Sequence, residues 1–163
     1  MRQRVRLFID LDDVLADFLG QYVRDFGPLD DRNAPLRPEF WAMAHTTPYF
    51  RSLPPLPGAR DLWHRMKALH PSPVILTGTP RDAVSIAQQK REWVAEHICE
   101  EATVVCCPSE EKYLHGQPGD VLVDDWAKYR HLWEGMGGVF VLHLHSEPSA
   151  TIEAVRRALG GQR

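Results

Sequence analysis

The chain has 163 residues, 44% of them hydrophobic and 25% charged, with a formal net charge of −3. That length suits one domain with a real core, and the charge balance lacks the basic stripe that binding to nucleic acid requires. No apolar run approaches membrane-spanning length, and the three cysteines, Cys99, Cys106 and Cys107, are odd in number with two adjacent, which argues against a disulfide framework.

The N-terminus runs from the basic cluster Arg2-Gln3-Arg4-Val5-Arg6 into the five-residue stretch 5–9, apolar except for Arg6. That run is too short for a signal-peptide core, so a cytoplasmic protein is expected, with buried reduced thiols, as a monomer or homodimer. Five apolar runs read as strands: 5–9, 74–77, 103–106, 121–124 and 139–142. They are unbroken rather than alternating, as in parallel strands covered on both faces. Helical spacing separates them. Leu15, Phe18, Leu19, Tyr22, Val23 and Phe26 share a face, as do Leu62, Met66 and Leu69. Further helical patterns run from about 82 to 98, through Tyr129, Leu132 and Trp133 to Gly135, and from Pro148 to Gly160. Residues 27–38 are rich in Pro, Asp and Arg and read as a loop, followed by an aromatic stretch with Phe40, Trp41, Tyr49 and Phe50. The connection is far longer than the usual strand-to-helix link of about 2–6 residues. It reads as a small helical insert over the strand ends. Residues 117–120 form a turn before the fourth strand.

Strands alternating with helices give a three-layer α/β domain whose site lies beyond the carboxyl ends of the strands. Polar residues at those ends are Asp10 and Asp12 after the first run, Thr77 after the second, and Asp124 and Asp125 after the fourth. Asp10 and Asp12 are spaced to share one side of the strand. Alone, the pair reads either as a cation site with a carboxylate nucleophile or as an acidic loop beside a strand. The larger set matches what phosphoryl transfer to an aspartate needs: a nucleophile, a second carboxyl for proton transfer, a hydroxyl and a lysine for phosphate oxygens, and an oxygen-liganded Mg²⁺. His143 and His145 read as a surface strand end, because two ligands do not make a zinc site. Cys106-Cys107 reads as sheet core, and Trp126 and Trp133 as packing residues.

Phe8-Ile9-Asp10-Leu11-Asp12-Asp13-Val14-Leu15 resembles motif I of the haloacid dehalogenase (HAD) superfamily. Ile75-Leu76-Thr77-Gly78 resembles motif II, Lys112 is placed like motif III, and Val121-Leu122-Val123-Asp124-Asp125 resembles motif IV. The resemblance implies a HAD-like (Rossmann-like) parallel sheet in strand order 5-4-1-2-3. One domain would span residues 1–163, with a small cap insert at 17–60 between motifs I and II. It implies Asp10 as nucleophile and metal ligand, Asp12 as acid/base with its backbone carbonyl on the metal, and Asp124 as metal ligand. Asp125 would stand behind these or bind more weakly. Thr77, Gly78 and Lys112 would hold phosphate, with Lys90 as the competing lysine.

A closer likeness is to the 5′(3′)-deoxyribonucleotidase branch. It rests on Asp10-Leu11-Asp12-Asp13-Val14-Leu15-Ala16-Asp17-Phe18, on residues 50–59 (FRSLPPLPGA), and on Lys90-Arg91-Glu92-Trp93-Val94. It implies a Mg²⁺-dependent phosphomonoesterase acting through an aspartyl-phosphate on a small phosphorylated metabolite, a (deoxy)nucleoside monophosphate above others. Phe18, Phe40 and Trp41 are the candidates to stack on a base. Asp13 stands where the branch usually has Gly. The alternatives are a HAD phosphatase of another metabolite, or a phospho-accepting receiver-like signalling domain.

Overall fold

The computed structural model describes residues 4–160; Arg2 and Gln3 of the basic cluster lie outside them. Five strands, β1 (Leu7–Ile9), β2 (Val74–Gly78), β3 (Thr103–Cys107), β4 (Val121–Asp124) and β5 (Val139–Leu142), form one sheet in the order β3-β2-β1-β4-β5. Every pairing is parallel, and this is the expected order read from the other edge. β1 is shorter than the apolar run that marks it. Arg6, just before it, is part-exposed, and its side chain pairs at 2.6 Å with Asp120, whose carboxylate is fully buried.

Alternate residues of each strand feed the two faces. Leu7, Ile9, Ile75, Val121, Val123 and Val141 join the larger core cluster. Residues from α3 (Ala59–Leu69), α4 (Val84–His97) and α6 (Pro148–Gly160) complete it. Phe8, Leu76, Leu122 and Phe140 join a smaller cluster around Trp133 of α5 (Arg130–Gly135). A 3-10 segment, Ser109–His115, lies between β3 and β4 and was not foreseen.

The long connection after β1 carries α1 (Phe18–Phe26) and α2 (Pro38–Thr46). Asp17 caps α1 by accepting from the Gly20 N–H at 3.1 Å, so α1 starts later than the Leu15-based pattern suggested. Gly27 ends it at φ +84° while donating to the Val23 carbonyl, a conformation open to glycine. Phe40, fully buried, is the hub of an aromatic cluster with Phe18, Tyr22, Phe26, Tyr49 and Phe50. The chain leaves and re-enters the core at one place. The Asp17 N–H donates to the Pro54 carbonyl at 2.9 Å, and the Leu56 N–H donates to the Leu15 carbonyl at 2.8 Å. Among the described residues, no helix is long and apolar enough to cross a membrane.

Candidate active site

Backbone register places the first carboxylates. The Asp10 N–H donates to the Val123 carbonyl at 2.8 Å, and the His143 N–H donates to the Asp124 carbonyl at 2.9 Å. The sheet ladder thus runs past β1 to Asp10 and sets it beside Asp124, the last residue of β4. One carboxylate oxygen from each of Asp10, Asp124 and Asp125 lies within 4.8 Å of the others. Three hard oxygen donors this close suit a divalent cation such as Mg²⁺. Asp125, expected behind the ligands or as a weaker one, brings a carboxylate oxygen within the same 4.8 Å as Asp10 and Asp124. The Asp12 carboxylate is not in this trio.

Lys112 Nζ lies 2.8 Å from Asp10 Oδ1 and 2.7 Å from Asp124 Oδ2. Glu110 and Glu111 precede it in the chain, yet within the same 3-10 segment Lys112 is buried. Burial pulls the ammonium pKa down, and the charges of Asp10 and Asp124 outweigh that, leaving it raised. Burial and the Asp10 charge push Asp124 up to about 6 despite Lys112. The same two causes, with Asp13 added, push Asp125 up to about 8. Such a set takes up positive charge readily.

A second lysine reaches the site. Lys90 of α4 is 2% exposed, and its Nζ lies 2.6 Å from Asp12 Oδ2, 3.1 Å from Thr77 Oγ1 and 2.7 Å from the Gly78 carbonyl. It also lies 4.7 Å from the centre of the Phe50 ring. Asp12 Oδ1 is buried with no hydrogen-bond partner among the described residues. Burial raises the Asp12 pKa, and Lys90 restrains the rise. A carboxyl of this kind, with one oxygen held by a lysine and the other buried without a partner, is equipped to give and take a proton.

These groups line a cavity of about 640 Å³, within the ~300–1,000 Å³ typical of small-molecule sites. Asp10, Asp12, Gly78, Lys90, Lys112 and Asp124 form its floor, with Phe18, Trp41 and residues 32–36 on its wall. A Cβ at Gly78 would overlap Ser109 Oγ, so a larger residue there requires that hydroxyl to turn away. Thr77 is fully buried and is not on the cavity wall; its hydroxyl faces Lys90. Phe40 is core, whereas Trp41 is half-buried and borders the cavity.

Three readings need correction. His143 is buried, 3% exposed, with Nδ1 2.9 Å from Thr151 Oγ1, so it braces β5 against α6. Trp126 is not mere packing: it lines the cavity, and its Nε1 donates to Asn33 Oδ1 at 2.8 Å. Cys107 is buried in the smaller cluster, but its neighbour Cys106 is only half-buried on the edge strand. Sequence reasoning also missed Arg32, whose Nη2 sits 2.7 Å from Asp125 Oδ2. Its only signal was a position in the Pro/Asp/Arg-rich loop.

The family model for "5′ nucleotidase, deoxy (Pyrimidine), cytosolic type C protein" matches residues 3–158. A curated protein of Bordetella bronchiseptica, named "Putative 5′(3′)-deoxyribonucleotidase", is 30% identical over 137 residues, covering 73% of this chain and 73% of its own.

Proposed function

Because the chain belongs to the 5′ nucleotidase, deoxy (pyrimidine), cytosolic type C family, and is a phosphoric monoester hydrolase of the HAD type, we propose that it hydrolyses (deoxy)nucleoside monophosphates through an aspartyl-phosphate on Asp10. One observation carries the reading: two separate acid–lysine pairings, Asp10 with Lys112 and Asp12 with Lys90, meet on the floor of one cavity with an aromatic wall.

Asp10 attacks phosphorus with one carboxylate oxygen, and the bond to the ester oxygen breaks. Asp12 donates its proton to that oxygen, and the nucleoside leaves as an alcohol. Asp12, now ionised, takes a proton from a water, which attacks the same phosphorus; inorganic phosphate leaves and Asp10 is restored. The carboxylates of Asp10, Asp124 and Asp125, with the Asp12 backbone carbonyl, would hold Mg²⁺. When bound it supplies charge neutralisation for phosphate approaching a carboxylate. Lys112 orients Asp10 through its 2.8 Å contact with Oδ1. Lys90 orients Asp12, with Thr77 and the Gly78 carbonyl fixing the ammonium in turn. Segment 17–60 acts as the cap, with Phe18 and Trp41 flanking a base.

The test is a phosphatase screen with Mg²⁺, with and without EDTA, across deoxynucleoside and ribonucleoside monophosphates and sugar phosphates. Turnover of a nucleotide is expected, lost in EDTA and reduced more than roughly 10⁴-fold in Asp10→Asn, the scale seen when a covalent nucleophile is removed. Equal rates for wild type and Asp10→Asn would refute the mechanism. A sugar phosphate outpacing every nucleotide would refute only the substrate assignment.

A further inference from the structure

The loop between α1 and α2 brings a cation of its own to the carboxylates. Arg32 Nη2 lies 2.7 Å from Asp125 Oδ2 and 3.4 Å from Asp13 Oδ2. Its guanidinium sits 5.4 Å from the centre of the Trp126 ring. With Asn33 accepting from Trp126, this pins the loop to the segment after β4.

Asp13 is the unusual half of the arrangement. It occupies the left-handed region at φ +61°, where a side chain costs roughly 1–2 kcal/mol relative to glycine. Its carboxylate acts at both ends: Oδ1 accepts from the Leu19 N–H at 2.7 Å, tying the turn to α1, and Oδ2 faces Arg32. Asp125 in turn belongs to two groupings, the trio with Asp10 and Asp124 and the ion pair with Arg32.

Resting on the metal reading above, we propose that Arg32 is a displaceable counter-cation for the metal site. Asp125 is its seat when the site is empty, and Asp13 is the second seat that holds the loop when a divalent cation takes Asp125. A guanidinium and a divalent cation on one carboxylate repel each other. Without Asp13, that repulsion would drive Arg32 and its loop away from the site. With Asp13 already within reach, Arg32 shifts over and the loop stays fastened. Linkage then requires reciprocity: Arg32 must weaken cation binding to the degree that the cation weakens the Arg32–Asp125 contact.

Two measurements on the full chain test this: calorimetric titration with Mg²⁺ alone, and hydrogen exchange across residues 28–37 with and without Mg²⁺. Arg32→Ala is expected to bind Mg²⁺ roughly five- to tenfold more tightly, the effect of removing one partly screened unit charge near a divalent ion. Loop exchange in wild type is expected to be unchanged by Mg²⁺. In Asp13→Gly, Mg²⁺ is expected to speed that exchange. Asp13→Asn, which tolerates the left-handed backbone and can still accept from Leu19 but lacks the charge, must behave as Asp13→Gly does. Unchanged Mg²⁺ affinity in Arg32→Ala, or Mg²⁺-insensitive loop exchange in both Asp13 variants, overturns the proposal. If wild type gives normal Mg²⁺ heat in those cases, the metal reading stands; absence of heat in wild type removes both.

Discussion

The two buried lysines occupy matching places on either side of the site but face different surroundings. Among the described residues, Lys112 hydrogen-bonds two carboxylates, Asp10 and Asp124. Lys90 contacts one carboxylate, one hydroxyl and one carbonyl. The first arrangement neutralises charge. Two acids forced together at adjacent strand ends would repel in a dry setting, and Lys112 offsets that repulsion before any metal arrives. The second arrangement is directional, since neutral acceptors fix where the ammonium points and so hold Asp12 by one oxygen only. On the mechanism proposed above, two residues of one type serve separate ends, static charge on one side and proton handling on the other.

The contrast is broken most severely at Lys112. Lys112→Met leaves Asp10 and Asp124 facing each other, and the metal-free variant should lose about 3–5 kcal/mol of stability, the usual result of removing one partner from a buried ion pair. Mg²⁺ should restore most of the loss, because a divalent cation supplies the missing charge; melting curves with and without Mg²⁺ check this. Lys90→Met should respond differently. Without the ammonium the Asp12 pKa rises further, since Lys90 is what restrains it. The alkaline limb of the kcat/KM profile, where Asp12 loses the proton it must donate, should therefore move to higher pH, with kcat down about 10²–10⁴-fold, and Mg²⁺ should not rescue it. Equal Mg²⁺ rescue of both variants would erase the distinction between the lysines.

The smallest effect concerns proton binding outside either lysine. Asp125 is pushed up to about 8 by burial and the neighbouring charges of Asp10 and Asp13. Between its ordinary carboxylate pKa and that value the folded chain binds more proton at this residue than the unfolded chain does, although Arg32 beside it restrains the rise. Stability contributed at this residue is therefore greatest at low pH and falls as pH rises to about 8. Thermal melts from pH 5 to 8.5 without metal should show a decline that shrinks in Asp125→Asn, by about 1–3 kcal/mol at the upper end after allowing for its partial exposure.

The sheet and its strand ends were legible because their signal is local. Three to five apolar residues in succession followed by a polar one describe a buried parallel strand and its mouth, and parallel register brought Asp10 beside Asp124 without further information. Long-range pairings were not legible. Arg6 with Asp120 and Arg32 with Asp125 join residues 114 and 93 positions apart, and no spacing rule connects them. Lys90 was visible as a motif residue, yet on a helix of mixed polarity nothing marked it as buried. Thr77 shows the opposite case. Its place on β2 was evident, but its orientation behind Lys90 follows from a helix packed against the strand, which strand periodicity does not encode.

The clasp that closes the long connection has an evolutionary consequence. Asp17 meets Pro54, and Leu15 meets Leu56, so the chain departs from the core and returns to it at one hydrogen-bonded point. Whatever lies between need only begin and end there. The segment can lengthen, shorten or be exchanged for another with little demand on the sheet. Selection for a new substrate can therefore work on residues 18–53, apart from contacts such as Arg32 to Asp125, while the carboxylates stay where backbone register put them.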